Sequence, residues 1–204
     1  MGRVCELFGN GLFILYGEAG SGKTGICLQV AFERLSADKD KKGKIIFIDT
    51  LNSFSVERFS QIAGEDYKDL LERVLLFRVN SFKSQQLAIK KIKNIVDTGR
   101  ISAVFVDTIT YYYRRLRSRE LDLANSMLRS QLRILKQLGL PVLVTSEVYK
   151  DIEHHYNKIV GGDIMVVNCN ALIELKRNPR MMIFRLPKKE IVHFEIGNDG
   201  IKVV

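Results

Sequence analysis

The chain has 204 residues, 46% of them hydrophobic, with only 3 prolines and a formal net charge of +9 at pH 7. That length and apolar content suffice for one sizeable core and exclude a disordered or linker-rich chain. No apolar run approaches the length of a membrane span, and Met1-Gly2-Arg3-Val4-Cys5-Glu6 lacks the apolar segment of a secretory signal.

The first predicted element is a strand over the unbroken apolar run Leu12-Phe13-Ile14-Leu15-Tyr16, buried on both faces. It leads into Gly17-Glu18-Ala19-Gly20-Ser21-Gly22-Lys23-Thr24, which matches G-x-x-x-x-G-K-[ST]. A helical pattern follows, with Ile26, Val30 and Leu35 on one face. Glycines let a backbone wrap a polyphosphate, and the N–H groups opening a helix point at it with the help of the helix dipole. Strand, loop and helix together point to a nucleoside triphosphate held by residues 17–24. Lys23 would reach the β- and γ-phosphates, and the Thr24 hydroxyl would ligate Mg²⁺.

Residues 39–44 form a charged turn. Further apolar runs at 45–48, 74–77, 103–106 and 142–144 predict buried parallel strands. Helical patterns lie between them at about 56–63, at 82–97 with Leu87, Ile92, Ile95 and Val96, and at 120–138 with Leu121, Leu128, Leu132 and Leu135. The alternation implies an α/β fold, a mostly parallel twisted sheet flanked on both faces by helices with right-handed crossovers. In the last third, short strands at 171–176, 181–186, 191–196 and 201–204 predict a C-terminal antiparallel extension. It is too short for a separate unit, so residues 1–204 are expected to form a single domain.

Mg²⁺ needs a carboxylate opposite the phosphate loop. Asp107 and Asp49 both end apolar strands and both fit by pattern. The charge is also uneven. Residues 111–140 hold Arg114, Arg115, Arg117, Arg119, Arg129, Arg133 and Lys136 against Glu120 and Asp122, and 83–100 hold five cations against Asp97. Such clusters suit a polyanion, and a solvated helix face gives the same run. Cys5, Cys27 and Cys169 form neither a disulfide framework nor a zinc set, which points to a reducing cytoplasm. The neighbours His154 and His155 point apart and lack partners at ligand spacing, so no metal is assigned there.

Longer segments resemble the RecA-type recombinases. Residues 48–59, which open Ile48-Asp49-Thr50-Leu51-Asn52-Ser53-Phe54, are similar to I-D-T-E-G-x-F-x-P-E-R. Residues 106–114, Val106-Asp107-Thr108 through Tyr113-Arg114, are similar to V-D-S-x-T-x-x-Y/F-R. Residues 142–149 resemble V-x-V-T-N-Q-V-Y, and Val160-Gly161-Gly162 resembles the V-G-G that follows. Taken in order they cover nearly the whole chain. They look like the archaeal RadB group, small RecA/RadA paralogues without the N-terminal helical DNA-binding domain. The resemblance implies a RecA-like P-loop ATPase core that begins almost at residue 1. It implies that Asp107 assists Mg²⁺ through water, since related enzymes put the water-activating group on the strand that Asp49 ends. It makes 110–119 the first DNA-binding loop, with Arg114 its recurring arginine, and 150–162 the second. Tyr113, Arg114, Arg115 and Arg117 would bind DNA, single-stranded or branched. Arginines neutralise phosphates and aromatic rings stack on bases, although tyrosines packed beneath a loop of solvated arginines give the same sequence.

Two positions depart from the family. Its catalytic glutamate falls at Leu51, which can neither take a proton nor orient a water, so hydrolysis should be weak or absent. Its γ-phosphate-sensing glutamine falls at Glu147, a carboxylate that either takes over the lost task or repels the phosphate. Glu57 is a second acid that could take over. RadA-type proteins polymerise through an F-x-x-A segment, and none occurs in the chain, so no self-made filament is expected. These features imply an accessory factor that engages DNA and the main RadA-type recombinase or a Holliday-junction resolvase, in the cytoplasm and with no membrane role. The alternative is a KaiC-like oligomeric regulatory ATPase not acting on DNA, in whose ring Lys176-Arg177 would reach a neighbour's site.

Overall fold

Uninterrupted runs of Val, Ile and Phe are stable as strands only when both faces are covered. In the computed structural model, which describes residues 2–116, 120–150 and 157–204, both faces are covered by helices. The order is β1 (Gly11–Gly17), α1 (Lys23–Ala37), β2 (Lys44–Asp49), α2 (Val56–Ala63), α3 (Tyr67–Leu71), β3 (Val74–Arg78), α4 (Phe82–Thr98) and β4 (Ile101–Asp107). Then come α5 (Leu121–Lys136), β5 (Pro141–Ser146), β6 (Val148–Lys150), β7 (Asn157–Ile159), α6 (Gly162–Asn168), β8 (Ala171–Arg177), β9 (Arg180–Leu186), β10 (Glu190–Gly197) and β11 (Gly200–Val203).

Nine strands form one sheet in the order β11-β10-β9-β8-β1-β5-β4-β2-β3, and β6 and β7 pair as a separate ribbon. Strand periodicity sorts the core into two layers. On β2, Ile45 and Phe47 pack with Ile26, Val30 and Leu35 of α1 and Phe59 of α2. Ile46 and Ile48 face the other way, against Ile89 and Ile92 of α4 and Leu128, Leu132 and Leu135 of α5. The chain leaves β1, crosses over β5 and β4, and returns at β2. The carboxyl ends of β1, β5 and β4 therefore open on one crevice, where α/β sheets place their ligands.

Two apolar helix positions lie off the core, and one sequence expectation needs correction. Leu87 is 50% exposed, because it sits five residues, about 140°, round the helix from Ile92. The buried stripe of α4 runs through Gln85, Ala88, Ile89 and Ile92. Leu121 is 44% exposed. It opens α5 over a cavity of about 620 Å³ shared with Leu116 and Tyr149 rather than over the sheet. The C-terminal extension is antiparallel only from β9 onward, because β8 lies parallel to β1 with Ile14 opposite Leu172. A parallel neighbour needs a crossover, and α6, which shows no clear helical signal in the sequence, supplies it. Among the described residues no helix is long and apolar enough to cross a membrane. All three cysteines are buried and unpaired.

Candidate functional site

The phosphate loop turns sharply between β1 and α1, and its glycines are there for steric reasons. A β-carbon at Gly17 would lie 2.5 Å from the Leu175 carbonyl oxygen on β8. Gly22 sits at φ +103°, a left-handed conformation, as the N-cap of α1. No side chain caps that helix, so its first N–H groups are available to an anion. The Ser21 hydroxyl is buried beside them with no hydrogen-bond partner among the described residues. The Lys23 amino group folds back onto the loop and donates to the Gly17 and Glu18 carbonyls, both at 2.8 Å. Burial pushes its pKa below the ordinary lysine value, while Asp107 and Glu147 act in the opposite sense. These unmet donors around a half-buried cation fit a polyphosphate.

The two candidate carboxylates lie side by side at the ends of β2 and β4, in register, but their tasks differ. Asp49 is occupied by its own loop, accepting from the N–H groups of Leu51 at 3.2 Å, Ser53 at 3.0 Å and Phe54 at 3.1 Å. Asp107 faces the phosphate loop. Its Oδ2 accepts from Thr24 Oγ1 at 2.7 Å and Ser53 Oγ at 2.8 Å, and its Oδ1 from Thr108 Oγ1 at 3.2 Å and from Thr145 Oγ1. Among the described residues no group of three or more His, Cys, Asp or Glu could hold a metal. A Mg²⁺ ion on Thr24 and Asp107 would complete its shell with phosphate oxygens and water, its usual habit. Ser53 and Thr145 were not anticipated from the sequence. Short hydroxyl side chains carry no pattern until the fold brings them to Asp107.

The segment after Asp107 carries the aromatic cluster. The Tyr112 hydroxyl donates to the carbonyls of Thr50 at 3.2 Å and Val79 at 2.9 Å, and that of Tyr113 to Asn125 Oδ1 at 2.6 Å. Burial pushes both phenol pKa values up. The Tyr113 ring also packs 6.2 Å, between centroids, from Phe82. Two tyrosines thus brace the loop, while Arg114 and Arg115 are exposed. Arg115 lies 3.8 Å over the Tyr111 ring, and Arg114 Nη1 is 3.1 Å from Glu147 Oε1. Arg117, Arg119, His154 and His155 lie outside the described residues, as do residues 151–156 of the expected second loop. Its return strand, β7, is tied to the phosphate loop by a 2.7 Å bond from Asn157 Nδ2 to Glu18 Oε1.

The family model described as Rad51 matches residues 8–203. A protein of Methanococcoides burtonii named DNA repair and recombination protein RadB is 34% identical, over 92% of this chain and 87% of its own. A protein of the same name from Methanoculleus marisnigri is 32% identical over 93% and 88%, and one from Thermococcus sibiricus 31% over 92% and 84%. The chain belongs to the Rad51 family and is of the archaeal RadB type. It is therefore a member of a DNA repair and recombination family.

Within this RadB-type fold the two departures have definite surroundings. Leu51 is 43% exposed and lines an open cavity of about 680 Å³ with Arg78, Asn80, Tyr112 and Arg115. Glu57 is exposed on the first turn of α2. Glu147 is engaged with Arg114. Lys176 pairs with Glu174, as does Arg185 from β9, while Arg177 leans on its own phosphate loop. A β-carbon at Gly20 would lie 3.5 Å from the Arg177 guanidinium carbon.

Proposed function

We propose that this RadB-type chain is an ATP-binding accessory factor of DNA recombination and repair, a nucleotide-gated switch with weak or absent hydrolysis. Residues 17–24 hold the triphosphate, and the Lys23 amino group exchanges its two loop carbonyls for phosphate oxygens. Mg²⁺, held by the Thr24 hydroxyl and through water by Asp107, supplies charge neutralisation at the phosphates. Arg114, Arg115 and Arg117, with Tyr113 bracing the loop, meet DNA. The engaged surface then presents the main recombinase or a resolvase with one of two states. Residues 1–204 act as one core in this role.

One juxtaposition carries the reading. The 2.7 Å bond from Thr24 to Asp107 joins the two halves of a nucleotide site, yet Leu51 puts a hydrocarbon side chain where a water-handling acid would stand. Calorimetric titration of ATP with and without Mg²⁺ tests the binding half. We expect Mg²⁺-dependent binding that Lys23→Ala abolishes, and phosphate release orders of magnitude slower than that of an active recombinase. Absence of nucleotide binding, or brisk release that depends on Lys23, would overturn the proposal. Salt-sensitive binding to a single-stranded oligonucleotide tests the DNA half.

A further inference from the structure

The cavity beside Leu51 carries charge that the triphosphate site does not use. Its volume, about 680 Å³, falls within the ~300–1,000 Å³ of small-ligand sites. Its walls are the segments that follow β2 and β3 and the aromatic loop that follows β4. One side chain ties the three together: the Tyr112 hydroxyl reaches the Thr50 carbonyl at 3.2 Å and the Val79 carbonyl at 2.9 Å. The hollow is therefore built by the fold. Asp49, the acid among the described lining residues, is 1% exposed, and its carboxylate is taken up by the N–H groups of Leu51, Ser53 and Phe54. The exposed charges are Arg78, which ends β3 in register with Asp49, and Arg115. Neither has a carboxylate partner among the described residues. Arg115 is already ordered, 3.8 Å over the Tyr111 ring, which meets Tyr112 edge-on at 4.9 Å. A guanidinium stacked on one face can take a second flat group on the other, a nucleobase included.

Resting on the nucleic-acid half of the function proposed above, we infer that this cavity binds one nucleotide unit: the Tyr111–Arg115 stack is the platform for its base, Arg78 takes its phosphate, and Leu51 is the apolar wall beside them. The unit belongs to a single strand or is a free mononucleotide, since both offer the same flat base and phosphate. Leu51 then has a task of its own. The RecA-type pattern puts a glutamate at this position, and a carboxylate there would repel a phosphodiester and compete with it for Arg78 and Arg115. Leucine removes the competing charge and adds hydrocarbon surface at 43% exposure. The change that removes the water-handling acid is thus the same change that opens the cavity to a nucleotide. Leu51 and Arg78 lie in neither of the two DNA-binding loops that the family resemblance implies. The site carries the interface past the aromatic loop, to the side where β2 and β3 end.

The test compares wild type, Arg78→Ala, Leu51→Glu and Leu51→Gln, each checked for folding by its urea midpoint. Binding of a labelled oligo-dT is followed by fluorescence anisotropy over a salt series. The competitor is dTMP, added with Mg·ATP present to fill the phosphate loop. Arg78→Ala should weaken oligo-dT binding about tenfold and lower the salt slope by about 0.7, the increment for one phosphate contact. Leu51→Glu should weaken it about tenfold as well, and Leu51→Gln, of the same length without the charge, by no more than about threefold. Wild type should prefer oligo-dT over an abasic strand of equal length by at least about fivefold, the low end of one stacked base. Displacement of oligo-dT by dTMP that Arg78→Ala abolishes would assign the site to the free nucleotide as well as the strand. Strand binding that dTMP leaves untouched, but that both substitutions weaken, would assign it to the strand. Equal oligo-dT affinity in wild type, Arg78→Ala and Leu51→Glu overturns the cavity assignment. A wild-type protein that binds ATP and no oligo-dT overturns the nucleic-acid half of the proposed function instead.

Discussion

Replacing Leu51 by glutamate tests the expected slowness of turnover directly. Leu51 is 43% exposed and faces an open cavity, so the change empties no packed space. Exposed substitutions of this kind usually move stability by no more than about 0.5 kcal/mol. The Leu51 N–H is already fixed by Asp49 Oδ1 at 3.2 Å, so the new side chain departs from a defined backbone position. A positioned general base is worth about 10²–10⁴ in rate. At about 1.36 kcal/mol per decade, that lowers the barrier by about 2.7–5.4 kcal/mol. The assay is single-turnover phosphate release from Mg·ATP, with Lys23→Ala as the blank, and the gain should be at least about hundredfold. A folded Leu51→Glu protein that binds ATP as wild type does and hydrolyses it no faster would show that the missing acid is not what limits the reaction.

Other perturbations read different parts of the molecule. Gly17→Ala puts a β-carbon 2.5 Å from the Leu175 carbonyl oxygen, and the strand has to shift. Urea unfolding should show a loss of about 1–3 kcal/mol, against almost none for Gly9→Ala, where the space is open. Burial would raise the Glu174 pKa, but hydrogen bonds from Lys176 and Arg185 outweigh it and hold the carboxyl below its ordinary value. The contribution of these pairs is therefore present above the unfolded carboxylate pKa and is lost as pH falls through the depressed folded value. Glu174→Gln should lower the urea midpoint at neutral pH and leave it unchanged in strong acid; equal losses at both would contradict the assignment. Arg115→Ala should reduce the salt slope of single-strand binding by about 0.7, the increment for one phosphate contact. An unchanged slope would remove Arg115 from the interface.

Legibility in the sequence followed the range of the interaction. The phosphate loop was readable because its job is done by eight contiguous residues whose glycines, lysine and threonine act through local backbone geometry. The parallel strands were readable because burial on both faces leaves an unbroken apolar run. Leu87 lies off the buried stripe of α4, about 140° round the helix from Ile92, whereas Leu121 opens α5 over a cavity, and apolar spacing along a helix does not say where the sheet beneath it ends. The sense of β8 is not legible in the sequence, because a strand buried along its length reads the same in either direction, and only the crossover through α6 sets it.

Site chemistry divided along the same line. Asp49 and Asp107 occupy equivalent strand ends, and composition cannot rank them. The fold does, by spending Asp49 on the N–H groups of its own loop and turning Asp107 toward Thr24. Residue identity was enough to show that position 51 holds a hydrocarbon and position 147 a charge. That Glu147 meets Arg114, 33 positions earlier in the chain, depends on β4 and β5 lying side by side. Chain-local chemistry is written in the order of residues, whereas a contact between distant residues exists only once a sheet has paid the entropy of bringing them together.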